Sequence, residues 1–118
     1  MATVRAMTLI YKVCTASAWR EAERNGTYRG SSDDSRDGFI HFSTAAQLAG
    51  TLRKFFAGQP ALFLVVVDPS DLSESLRWEP SRDGMLFPHL YGELDLVHVV
   101  KVMDLPLLHD GSHEIPEL

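Results

Sequence analysis

The chain has 118 residues, 45% of them hydrophobic and 23% charged, which is the size and composition of one globular domain with a core of its own. Its net charge of −5 argues against DNA, which selects a basic face, and no run approaches the ~20 apolar residues of a membrane-spanning helix. Cys14 is the only cysteine, so an intrachain disulfide is excluded, and the short apolar run after Arg5 lacks the length of a signal peptide. The cytoplasm is therefore the expected compartment.

Residues 8–13 (TLIYKV) are β-branched and aromatic and predict a first strand. Thr15 or Ser17 offers a cap for a short helix over 18–24, which Asn25 and Gly26 stop. Arg20, Arg24 and Arg29 are interleaved with Glu21 and Glu23, the pattern of a solvated helix face. Residues 30–37 (GSSDDSRD) contain nothing apolar and predict a mobile loop. A strand follows over 39–42, and Ser43 is placed to cap a helix over 44–56. In that helix Ala45, Leu48, Ala49, Leu52, Phe55 and Phe56 recur at three- and four-residue spacing, the stripe of a helix lying on a sheet.

The run 61–67 (ALFLVVV) predicts a central strand covered on both faces. Asp68 and Pro69 turn the chain, 76–79 alternates as a short strand, and 81–84 (SRDG) is a turn. Residues 87–91 and 94–103 then predict a strand pair or one long bent strand, and the tail from Asp104 is irregular. Helices early and strands late define an α+β domain over 1–118, with a mainly antiparallel sheet, whole or split, and two early helices.

Two segments mix a histidine with aromatic and small polar residues. In 38–44 (GFIHFST), alternation sends Ile40 and Phe42 to the core and leaves His41 on the opposite face with Phe39 and Ser43. Ser43 and Thr44 then lie at a helix start, whose free N–H groups suit an anion, and His41 nearby suits binding or protonating a phosphate or carboxylate. The alternative is a strand histidine bonded to backbone beside an ordinary serine cap. In 87–92 (FPHLYG), Phe87, His89 and Tyr91 share a face, and Pro88 marks an edge, a bulge or a bend. That segment reads equally as a site or as a structural edge strand.

Trp78 could stack on a ring-shaped ligand and Glu79 could pair with a histidine or a ribose hydroxyl; a core tryptophan and a surface glutamate are the plainer reading. His98 alternates with valines and belongs to a solvent face. His109 and His113 have the i, i+4 spacing of a zinc pair, but Pro106 and Gly111 break any helix there, so no metal is expected. Cys14 reads as a small buried hydrophobe.

The runs 38–48 (GFIHFSTAAQL), Trp78-Glu79 and 87–92 resemble the bacterial domain-of-unknown-function family 952, over roughly residues 8–102. More distantly, the order strand, helix, Gly26, polar loop and His41-Phe42-Ser43 leading into a helix resembles ADP-ribosyltransferases and RNA 2′-phosphotransferases. That likeness implies a split antiparallel sheet and a cleft for NAD or another nucleotide. It sets Tyr11 where those enzymes carry a histidine followed by glycine, although Lys12 follows here. By position alone, Glu93 and His89 are the candidates for their late glutamate.

Three functions follow. The first is a transferase or hydrolase acting on a nucleotide or phosphorylated ligand through His41 and His89, with Tyr11, Ser43, Thr44, Trp78, Glu79 and Tyr91 as ligand contacts. The second is a non-catalytic module binding a small anionic or nucleotide ligand in the same pocket. The third is a structural or partner-binding protein.

Overall fold

A computed structural model describes residues 9–118; the start of the first expected strand, at Thr8, lies outside them. In chain order the elements are β1 (Ile10–Thr15), α1 (Ala16–Asn25), β2 (Thr27–Tyr28), α2 (Ser32–Asp37), β3 (Ile40–His41), α3 (Leu48–Phe55), β4 (Leu62–Val67), β5 (Leu76–Pro80), β6 (Leu86–Leu90), β7 (Leu94–Asp95) and β8 (Val99–Leu105). Every pairing is antiparallel: β1-β4-β8 form one sheet, β3-β6-β5 a second, and β2-β7 a short ribbon. The α+β class with an antiparallel sheet split into pieces therefore stands. Tyr11 and Ser43 exchange two backbone hydrogen bonds, of 2.8 and 2.9 Å, and so lash the first sheet to the end of β3.

The valine-rich β4 sits between β1 and β8 and is covered on both faces, as its composition predicts. Tyr11, Val13, Leu64 and Val66 pack against Leu48 and Leu52 of α3. Ile10, Cys14, Val65 and Val67 turn the other way, towards Trp19 of α1 and Ile40, Phe42 and Leu90 of the second sheet. Cys14 is buried, and that burial pushes its thiol up to about 12.

Five expectations need correction. Residues 87–91 and 94–103 neither pair with each other nor make one strand: β6 lies between β3 and β5, β7 pairs with β2, and β8 pairs with β4 after a 3-10 turn. Residues 30–37 are no loop: Ser31 and Asp34 form a reciprocal capping box that starts α2, and Gly38 ends it with φ 87°. α3 begins at Leu48, after a turn in which Thr44 and Gln47 satisfy each other's backbone N–H groups through their side chains, so Ser43 does not cap it. Pro88 occupies the central strand of the second sheet rather than an edge. Its carbonyl accepts from Phe42 N–H on the β3 side, and the N–H that proline lacks costs only the reciprocal bond to Phe42, at the point where β3 ends. His98 closes a 3-10 turn (Leu96–His98) and is half-buried instead of standing on a strand's solvent face.

Candidate functional site

His41 on β3 and His89 on β6 are direct cross-strand partners. Because Phe42 and Pro88 form the hydrogen-bonded pair beside them, the histidines occupy the non-hydrogen-bonded position, where facing side chains come closest. Their ring centroids are 5.5 Å apart at an interplanar angle of 69°. Phe39 stacks on His89 at 4.0 Å and touches His41 at 4.6 Å, so one aromatic ring braces both. Both histidines line a cleft of about 250 Å³ with Tyr11, Lys12 and Ser43, and with Phe42, Phe56 and Phe87 as apolar wall.

Each histidine is held by its own acid. His89 is 3% exposed, and its Nδ1 lies 2.8 Å from Oε1 of Glu79, which also accepts the Tyr91 hydroxyl at 2.7 Å. A carboxylate can only accept, so Nδ1 carries the hydrogen, and in the neutral ring the lone pair then falls on Nε2. Nε2 has no partner among the described residues, and the ring borders the cleft. The bonds from His89 and Tyr91 hold the Glu79 carboxyl below the usual range, and the same contact raises the Tyr91 phenol.

His41 is held differently. Its Nδ1 is 2.6 Å from Oδ1 of Asp34 and its Nε2 is 3.0 Å from Oδ2 of Asp37. A carboxylate beside each nitrogen suits the ring that carries two protons, the form that can donate one. Asp34 is 2% exposed and also accepts from Lys12 Nζ and from Ser31 N–H, both at 2.8 Å. Burial alone would push its carboxyl up; the His41 hydrogen bond and the Lys12 ammonium outweigh it and hold the group well below the usual carboxylate range. At the cleft mouth, Arg36 chiefly lowers Asp37.

Of the residues singled out from sequence, the fold brings Tyr11, His41, Ser43 and His89 to one cleft, with Glu79 and Tyr91 reaching His89 from beside it. Thr44 and Trp78 are not part of its lining; Trp78 points to the sheet face opposite Glu79 and is 45% exposed. The expected anion cradle is occupied: Ser43 N–H donates to Tyr11 O, Thr44 N–H to Gln47 Oε1, and the Ser43 and Thr51 hydroxyls lie 2.7 Å apart. Glu93 binds Thr27 and Arg29 at the surface, away from the histidines.

Sequence reasoning missed Lys12, Asp34 and Asp37. Two signals were there to read. Lys12 alternates with Ile10 and Cys14 on a strand whose two faces both bury, which demands a buried counter-charge. Ser31 and Asp34 have the spacing of a capping box.

The chain belongs to the DUF952 family of proteins of unknown function, whose model matches residues 13–102. The crystal structure of protein CC0527 from Caulobacter crescentus is similar to it, with 43% sequence identity, 91% of this chain and 94% of that chain covered, and a TM-score of 0.87. The solution structure of CC0527 gives 44% identity, 90% and 91% coverage, and a TM-score of 0.81. No curated protein matches the chain. The family thus fixes the fold and leaves the chemistry to the site.

Proposed function

We propose that the protein is an acid–base enzyme, a transferase or hydrolase acting on a nucleotide or phosphorylated ligand, in which His89 accepts a proton and His41 donates one. A single observation supports this reading: two histidine rings 5.5 Å apart border one cleft, one held through Nδ1 by Glu79 and the other flanked by Asp34 and Asp37. In such a step Nε2 of His89 takes the proton of the attacking hydroxyl or water. A hydrogen on Nε2 of His41, which lies 3.0 Å from Asp37, passes to the leaving oxygen or nitrogen. Tyr11 and the phenylalanine wall suit a flat ring. The ligand class follows from a further reading, that the split sheet is ADP-ribosyltransferase-like and the cleft takes NAD or another nucleotide. The order of elements and the meeting of Tyr11 with the His41-Phe42-Ser43 segment support it. We place the protein in the cytoplasm, which a lone buried thiol and a net charge of −5 fit, and the same charge speaks against DNA.

The test is incubation of the full chain with NAD, ADP-ribose, mononucleotides and phosphate esters, with products read by mass spectrometry. Turnover of one of them that His89→Ala abolishes without unfolding the protein is the expected result. A second reading, a non-catalytic module binding a small anionic or nucleotide ligand, is favoured by the occupation of both His41 nitrogens. Calorimetric binding of a ligand that then stays chemically intact would establish that reading instead. Silence across the whole set would overturn both and leave a structural or partner-binding role.

A further inference from the structure

α2 has no apolar side chain with which to dock: among Ser32–Asp37 only Asp34 is buried. Yet this helix supplies Asp34 and Asp37, the two carboxylates on His41. What fixes it in place is polar. Oδ1 of Asp34 accepts both the backbone N–H and the ring Nδ1 of His41, at 3.1 and 2.6 Å, and Oδ2 accepts Lys12 Nζ at 2.8 Å. Lys12 is 6% exposed and projects from β1 in the row of Ile10 and Cys14, so it is fixed by the rigid first sheet. Asp34 is its only carboxylate partner among the described residues. The chain closes tightly over this pair: a Cβ on Gly30 would lie 2.8 Å from Cβ of Asp34.

We propose that Lys12 and Asp34 are a positioning pair. The buried ammonium anchors Asp34, and Asp34 in turn sets the ring of His41 and seats α2, with Asp37, as a wall of the cleft. The value of this placement for catalysis rests on the acid–base reading above; the placement itself does not. The role of neither residue requires contact with the ligand: Asp34 accepts from Lys12, His41 and Ser31, and the Lys12 ammonium donates to Asp34.

The experiment uses the full chain without ligand. Amide hydrogen exchange and the side-chain ¹⁵N resonances of His41 and His89 are compared in wild type, Lys12→Met, Lys12→Arg and Asp34→Asn. In Lys12→Met and Asp34→Asn, exchange at Ser35 and Gly38 should rise at least about tenfold and the His41 resonances should move, while β4 amides keep their protection. His89 should stay as it is, and Lys12→Arg should restore most of the protection. If α2 and His41 are unchanged in both variants, or if protection falls equally in β4, the pair does not position the site. Asp34→Asn keeps the shape of the side chain, so it answers the question should Lys12→Met fail to fold. A latch seen in a protein that turns nothing over would sink the enzyme reading and leave this one standing; turnover without a latch would do the reverse.

Discussion

The β1-β4-β8 sheet and the corner formed by α2 and β3 are held by opposite means. The central strand β4 is apolar on both faces, and its Leu64, Val65 and Val67 have no exposed surface. The corner contributes no apolar side chain from α2 and hangs on one buried carboxylate with four hydrogen bonds to it. Dispersion and water exclusion are non-directional, so the sheet tolerates small shifts. A buried ion pair is directional and costs several kcal/mol per ion to desolvate, so it favours one geometry and little else. A scaffold of the first kind that carries a site of the second kind is how preorganised catalytic groups are held.

The largest effect expected is at the corner. Asp34→Ala strands the Lys12 ammonium in the interior and should cost about 3–5 kcal/mol in chemical denaturation. Leu64→Ala, in the sheet, should cost about 2–5 kcal/mol from lost contacts and a cavity. The losses are similar in size and different in origin, and a double replacement separates them. Lys12→Met with Asp34→Leu removes both charges and should recover most of the stability lost in Asp34→Ala, whereas His41 should stay displaced.

Acid separates the two regions more gently. The folded chain holds Asp34 below its ordinary value of 3.8, so the unfolded state binds that proton more readily. The contribution of Asp34 is therefore complete above that value and drains away as pH falls below it. A denaturation series from pH 6 to pH 2 should show this decline in wild type and a shallower one in Asp34→Ala; Leu64→Ala should keep the wild-type slope.

Gly30→Ala is expected to be milder. Gly30 has φ 101°, and the added Cβ meets Asp34, so about 1–3 kcal/mol should be lost together with some displacement of His41. The smallest effect belongs to the surface. Arg24→Ala breaks a pair with Glu21 in which both side chains are more than 60% exposed, and about 0.3–0.5 kcal/mol is the expected loss. A large effect there would mean that exposed charges matter more to this fold than its burial pattern implies.

Legibility in the sequence follows the same division. The apolar sheet declared itself: 61–67 is a valine-rich run that burial on both faces explains, and Leu48 and Leu52 of α3 lie in the stripe that patterning predicts. Local chemistry also located the end of α1 at Gly26, φ 79°. Alternation put His41 and His89 on site-facing positions, but their pairing depends on strand register, which one strand's sequence does not contain. The polar corner stayed hidden because a helix without apolar residues carries no periodic signal. Only its capping box and its buried lysine partner betray it, and Lys12 lies 22 residues from Asp34.

The most direct test of a shared acid–base site is a histidine titration by NMR, with and without nucleotides, NAD and phosphate. His41 and His89 should titrate as a coupled pair, and one ligand should move the resonances of both rings together. Independent titration of the two rings, with no ligand moving both, would contradict the account and return the histidines to the architecture of the sheet.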